Sequence, residues 1–550
     1  MPKEREDVEA KSSGSPEVYQ QTKFMTWFEK AFPWLLVGGA ALGLVLMIFL
    51  PVIFFQEKTA EQLLAQSNLR LALLYTTGGA IAALGLLETY RKNTNDRTKA
   101  NADINAALKN QEHQTKVLKE QIRQFDDNAF KERKAERRER YTKAVEQLGD
   151  EKAPIRMGGV YTLVGLVDEW LEEKSLSDDE RFKEGQVIIN NLCAYIRSPF
   201  TLTSHYDELS QDSPTSEGIY KDKKEEFYID KAILDSEADV RLSIIKEIHD
   251  RIQGPDKNTP GAWSDFEYDF SGSTFFYPID LTNSYYAKPI NFSGSTYQGG
   301  ANFSDSTYRD EAYFGGSTYQ GGANFSDSTY KDVADFGGST YQGRADFSRS
   351  TYQWASFIGS TYQGWAYFSD STYKSWAYFT DSTYQWASFN DSTYKSWAYF
   401  SDSTYENETN FSGSIFYQET YFGEDGYSNS SSCFTNRAPQ FYDKKKRKNT
   451  LFGSPNNDFA VDIDKGYPID LDSKGIPLNC KFLTSEQKEY LEGKLQEIEK
   501  INNKLFEVKD LAKKTELLKK LRSLYKELRK WREKVTTVKV EDVVAEDTKS

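Results

Sequence analysis

Three histidines and three cysteines are the scarce reactive side chains of this 550-residue chain. His113, His205 and His249 lie far apart, as do Cys193, Cys433 and Cys480. None has metal-ligand spacing. An odd, sparse cysteine set builds no disulfide framework and suits a reducing compartment or indifference to redox. No phosphate-cradling G-x-x-x-x-G-K-[ST] loop occurs. With no nucleophile beside a base, the chain reads as non-enzymatic, with no cofactor and no metal. The residues that stand out are aromatic instead. Trp354, Trp365, Trp376, Trp386 and Trp397 recur at one position of a repeat. Tyr367, Tyr378 and Tyr399 each follow one of them by two residues. Their chemistry is recognition, because exposed aromatics bury large area against a partner. The competing reading is that each Trp covers a corner and stacks on its neighbours.

A repeat must position these residues. From residue 268 to 424 the anchors Phe270, Leu281, Phe292, Phe303, Phe314, Phe325, Phe336 and Phe347 recur every eleven residues. Phe357, Phe368, Phe379, Phe389, Phe400, Phe411 and Phe422 continue the series, with ten-residue steps at Phe347–Phe357 and Phe379–Phe389. Each copy holds two apolar anchors five apart, as in Phe303 and Tyr308, with a small residue two before each. The unit is therefore a pentapeptide used twice, with one optional extra residue. A period of five suits neither a long helix nor a meander. It suits a solenoid whose anchors point inward, while Ser, Thr, Asp, Gly and Gln face water or form corners. Asp305, Asp327, Asp370, Asp381, Asp391 and Asp402 read as turn residues. If one coil consumes two repeats, about seven coils follow. Trp354, Trp376 and Trp397, with Tyr378 and Tyr399, then share one edge. Trp365, Trp386 and Tyr367 share the other.

The segments A-N-F-S-D, A-D-F-G-G and A-D-F-S-R resemble the A-(D/N)-(L/F)-x-x motif of pentapeptide-repeat proteins. The resemblance implies a right-handed quadrilateral β-helix. The second unit, S-T-Y-x-x, departs from the motif with Ser for Ala and Tyr for Phe. Residues 140–173 and 191–200 are similar to the helical segment of bacterial membrane-anchored pentapeptide-repeat proteins. Ala144, Glu146, Gln147, Leu148, Gly149, Arg156, Gly158, Gly159, Tyr161 and Leu163 match its pattern.

Residues 1–32 form a polar tail. Residues 33–55 are uncharged and long enough to span a membrane as a helix, and residues 71–87 form a second candidate span. Gly38, Gly39, Gly43, Gly78 and Gly79 would let the two helices approach closely. Trp34 and Tyr90 suit interface anchors. Lys23 and Lys30 precede the first span, and Arg91, Lys92, Arg97 and Lys99 follow the second. The loop between holds only Lys58 and Arg70. Excess Lys and Arg faces the cytoplasm, so the expectation is a hairpin in the cell (inner) membrane with both termini and the solenoid cytoplasmic.

Residues 88–150 read as a helical stalk or coiled coil. Its basic run, 131–140, is taken as a solvated face balanced by Glu132, Glu136 and Glu139, against contact with lipid or nucleic acid. Residues 151–260 read as a HEAT-like helical segment, with a loose linker at 205–228. Arg156 and Arg241 there are expected to cap a helix or pair with an acid. The repeat domain spans 264–424, a loop-rich connector 425–483, and coiled-coil helices 484–540, opened by a capping box at Thr484 and Gln487.

The overall reading is a multi-domain, membrane-anchored scaffold or adaptor for an unidentified protein partner, with self-association through coiled coils. The net charge of −14 argues against direct nucleic-acid binding. From Asp265 to Glu424, 19 acidic residues face 7 basic ones. That balance keeps open a β-helix that mimics duplex DNA and acts on a topoisomerase. A reversed topology would instead expose the Trp stripe to cell-wall glycan.

Overall fold

The computed structural model describes residues 23–54, 59–92, 97–424, 430–508 and 510–538. Most of the polar tail, and the end of the chain after 538, lie outside them. The chain divides into two units, Met1–Glu132 and Arg133–Ser550.

In the first unit, α1 (Lys23–Phe54) and α2 (Ala60–Lys92) pack against each other. Both are long and apolar enough to cross a membrane, over Ala31–Phe54 and Glu61–Leu86. Helix α2 starts well before the expected boundary, so Arg70 lies within the helix and not in a loop. Of the five glycines, only Gly43 makes a close approach: a Cβ there would collide with the Thr77 side chain. Gly38, Gly39, Gly78 and Gly79 face open space. Helix α3 (Arg97–Leu148) is the long stalk, and Leu108, Ile122 and Phe125 are exposed along it.

In the second unit, the end of α3 packs on α4 (Ala153–Leu171) and α5 (Asp178–Arg197). The basic run finds its acids across this contact and not along its own helix. Arg137 pairs with Glu169 and Glu173, Arg133 with Glu173, and Lys134 with Glu184. The Arg137 guanidinium also lies 4.7 Å from the Trp170 ring centre. Burial disfavours the Glu173 charge. Hydrogen bonds from Ser175, Arg133 and Arg137 outweigh it and hold the carboxyl at about 2.

Residues 205–228 are not loose. A short helix, α6 (Tyr206–Leu209), docks there, and Leu209, Tyr220 and Phe227 are buried. Helix α7 (Lys224–Ile252) then packs on α4 and α5. Arg156 donates to the carbonyls of Asp150 and Glu151, just past α3, and pairs with Glu237 at 3.2 Å. Arg241 is 2% exposed; it donates to the carbonyls of Ile196 and Ser198 at the end of α5 and pairs with Glu237. Both arginines therefore close helix ends, where carbonyls lack partners.

From Tyr268 onward the chain is a β-solenoid of about seven turns. Each coil gives four short parallel strands, which stack in four columns. The first runs through Tyr268–Asp269, Ile290–Asn291 and Ala312–Tyr313. The second runs through Thr274–Phe275 and Thr296–Tyr297, the third through Ile279–Asp280 and Ala301–Asn302, and the fourth through Tyr285–Tyr286 and Thr307–Tyr308. One coil is two repeats: Tyr268 pairs with Ile290, and Ala323 with Ala345. All fifteen Phe and Leu anchors are buried. They stack coil on coil, as in Phe325 on Phe347 at 5.1 Å and Tyr308 on Tyr330 at 4.6 Å. That is about the inter-strand spacing.

The departure from Ala to Ser has a structural role. In each S-T-Y unit the serine hydroxyl accepts from the serine N–H of the coil before and donates to an anchor carbonyl. Ser328 Oγ accepts from Ser306 N at 3.1 Å and donates to the Phe303 carbonyl at 3.3 Å. The six turn aspartates all adopt left-handed backbone, with φ from 54° to 61°, as does Arg349 at 58°. These are positions where a β-branched residue would be strained.

The connector expected at 425–483 is largely another coil. Cys433–Phe434 pairs with Thr404–Tyr405, Leu451–Phe452 with Ile415–Phe416, and Lys481–Phe482 with Leu451–Phe452. Phe434, Phe441 and Phe452 stack on Tyr405, Phe411 and Phe416.

The C-terminal helices α8 (Ser485–Glu507) and α9 (Leu511–Thr536) form a hairpin, with the Thr484–Gln487 capping box in place. Their leucines bury against each other and against Ile415 and Leu451 of the fourth column. Lys488 donates to the Gly453 carbonyl, Tyr417 to Glu492, and Arg529 and Arg532 pair with Asp370. The hairpin thus lies along the solenoid.

Candidate functional site

The tryptophans sit where the chain turns from one column to the next. Trp354 lies in a strand, Thr351–Ser356, that runs unbroken from the fourth column into the first. Trp365 does the same from the second column to the third, in Thr361–Tyr367. The optional extra residue of the repeat is absorbed as a bulge: pairing shifts between Tyr362 and Trp365, so that Trp365 meets Trp386 in register. Ala355 and Ala366 point inward and are buried, so the preceding Trp must point out.

Two ladders result. On the first edge Trp354 meets Trp376 at 5.6 Å edge-on, and Trp376 stacks on Trp397 at 5.6 Å. Beside them Tyr378, Tyr399 and Tyr421 stack at 5.0 and 5.2 Å. On the second edge Trp365 stacks on Trp386 at 5.7 Å and on Tyr367 at 5.9 Å. Arg344 covers Tyr367 at 4.6 Å. Trp354 and Trp365 are each 39% exposed and Trp397 is 36% exposed, while Trp376 and Trp386 are half-buried by their neighbours. Each ladder both packs and presents a face. Tyr399 is a correction: it is 5% exposed, between Tyr378 and Tyr421, and takes no direct part in an open surface. The residues that sequence reading missed are Tyr421 and Arg344. Tyr421 occupies the position that Tyr378 and Tyr399 hold in earlier coils, but there Thr420 replaces the guiding alanine.

A family described as pentapeptide repeats (9 copies) matches residues 288–329. The chain carries pentapeptide repeats. They build a β-solenoid, the kind of fold that serves as a protein-interaction scaffold and is typically non-enzymatic. No curated protein and no solved structure matches the chain. Among the described residues no group of His, Cys, Asp or Glu is arranged to hold a metal. Cys193 and Cys480 are buried, and burial pushes both thiols up to about 12, away from the thiolate that a nucleophile needs.

The acidic excess of the repeat does not form an open stripe at the corner between the third and fourth columns. Lys257 meets Asp305, Arg349 meets Asp327, Arg529 and Arg532 meet Asp370, and Lys448 meets Asp391.

Proposed function

We propose that this protein is a non-catalytic, membrane-anchored adaptor whose solenoid binds a protein partner along its first aromatic edge. The observation that carries the reading is that edge: Trp354, Trp376 and Trp397 form one continuous ladder, and two of the three are more than a third exposed. Rigid aromatic surface of this kind concentrates binding energy in a few side chains. Four columns of strands suit a right-handed quadrilateral coil, which would hold the edge straight. Helices α1 and α2 would anchor it as a hairpin in the cell membrane, with both termini and the solenoid cytoplasmic. Self-association through helices falls to α3, where Leu108, Ile122 and Phe125 are exposed; the leucines of α8 and α9 are already covered.

The duplex-mimic reading is weakened, because one corner column of aspartates is neutralised within the chain. A glycan-binding reading needs the reverse topology. An externally active reporter fused after Ser550 should therefore stay silent.

The test is a triple replacement, Trp354→Ser, Trp376→Ser and Trp397→Ser, read by thermal stability and by in-cell crosslinking with mass spectrometry. Partners should be lost while stability changes little. A sharp fall in melting temperature with partners retained would reduce the ladder to corner packing.

A further inference from the structure

The outward position after each S-T-Y anchor differs between the two sides of the solenoid. Along the second column it holds Gln298, Gln320, Gln342, Gln363 and Gln385. Along the fourth it holds Arg309, Lys331, Gln353, Lys374 and Lys395. Coils lie about 4.8 Å apart, so adjacent cations of this file repel one another.

The fourth column is also the one the C-terminal hairpin covers. A cavity of about 200 Å³ remains between them. The solenoid lines it with Arg309, Lys331, Gln353 and Lys374, and α8 adds Asn502 and Asn503. Against these donors stands one lining carboxylate, Glu499. Burial, reinforced by the charges of Lys374, Arg309 and Lys514, pushes the Lys331 amine down to about 8. Burial lowers Lys374 as well; Glu499 opposes the shift and Lys395 adds to it. Such a site gains from an added anion, and mixed guanidinium, ammonium and amide donors match a tetrahedral oxyanion.

We propose that this cavity binds a small phosphate-class oxyanion, which ties α8 and α9 to the fourth column and so controls docking of the hairpin. Neither the charge balance of the whole chain nor the aromatic edges bear on this site. It rests on one file of cations and the helix that roofs it.

The test uses the full chain in detergent micelles, titrated calorimetrically with inorganic phosphate, pyrophosphate and glycerol phosphate. At least one should bind saturably, raise the melting temperature and slow trypsin cleavage at the α8–α9 junction. Which of them binds distinguishes a free phosphate from a lipid headgroup. Lys331→Gln with Lys374→Gln should weaken binding by about tenfold or more, as expected for lost charge-assisted hydrogen bonds. Lys445→Gln with Lys446→Gln, in an exposed basic run, should leave it unchanged. Asn502→Asp places a carboxylate at the cavity without disturbing the solenoid, and should also weaken binding. Absence of saturable binding, or equal loss in the Lys445/Lys446 pair, would overturn the proposal.

Discussion

The coils from Tyr268 to Phe422 and the closing coil from Cys433 to Phe459 do the same structural work with different sequence. The first are built from near-identical units. The last keeps the inward aromatic at each side, in Phe434, Phe441, Phe452 and Phe459, and abandons the rest. Ser432 and Thr450 replace the serine ladder: Ser403 N donates to Ser432 Oγ, and Thr450 Oγ1 donates to the Phe411 carbonyl at 2.8 Å. Between these positions the closing coil carries a small hairpin, Tyr442–Asp443 with Lys448–Asn449. A solenoid coil therefore needs four buried anchors and a hydroxyl at certain corners. The spacing between anchors is free, because loops leave at the corners and face water.

The largest test of this contrast is truncation of an anchor. Phe336 stacks on Phe314 and Phe357 and meets Phe325 and Phe347 edge-on. Phe336→Ala should cost about 3–5 kcal/mol in urea unfolding. Phe459 lies in the last coil and is 5% exposed, so Phe459→Ala should cost less. Equal losses would mean that the end coil is as tightly packed as the middle.

The helical segment ahead of the solenoid is held differently, by ion pairs, and pH should separate the two. Glu173 is held at about 2 in the folded chain, below its ordinary 4.5. Its contribution is complete above pH 4.5 and is lost as pH falls toward 2. It amounts to about 2 kcal/mol. Glu173→Gln should flatten the acid limb of stability in that window. An unchanged acid limb would show that the ion pairs with Arg133 and Arg137 add nothing.

A smaller effect concerns corner geometry. Asp327 has φ of 59°. Asp327→Val should cost about 1–2 kcal/mol, since a β-branched residue resists left-handed backbone. Asp327→Gly should come close to neutral, because glycine accepts the turn, although the contact with Arg349 is lost. If both cost the same, the ion pair and not the backbone governs this corner.

The smallest expected effect concerns the hydroxyls. Ser328→Ala and Thr450→Val should each cost about 1 kcal/mol, measured by the same unfolding. Similar values would establish that the closing coil uses Thr450 as the repeat uses serine.

The anchors, the two-repeat coil and the turn aspartates were legible because every coil restates them. Inward Phe and Tyr at a fixed five-residue spacing leave one way to bury the rings, and a recurring Asp two residues after Phe marks each corner. The capping roles of Arg156 and Arg241 could be read too, since a lone Arg in an apolar helix needs carbonyls or an acid. The closing coil was hidden because Phe434, Phe441, Phe452 and Phe459 have no period, so only pairing with the coil beneath identifies them. The partners of Arg133, Lys134 and Arg137 were misplaced on their own helix. Glu169, Glu173 and Glu184 reach them only through packing of α3 on α4 and α5. The leucines of α8 and α9 spell the same pattern whether they meet a second chain or their own solenoid. Their burial on Ile415 and Leu451 was decided by tertiary structure alone, because a periodic apolar stripe specifies a contact but not its partner.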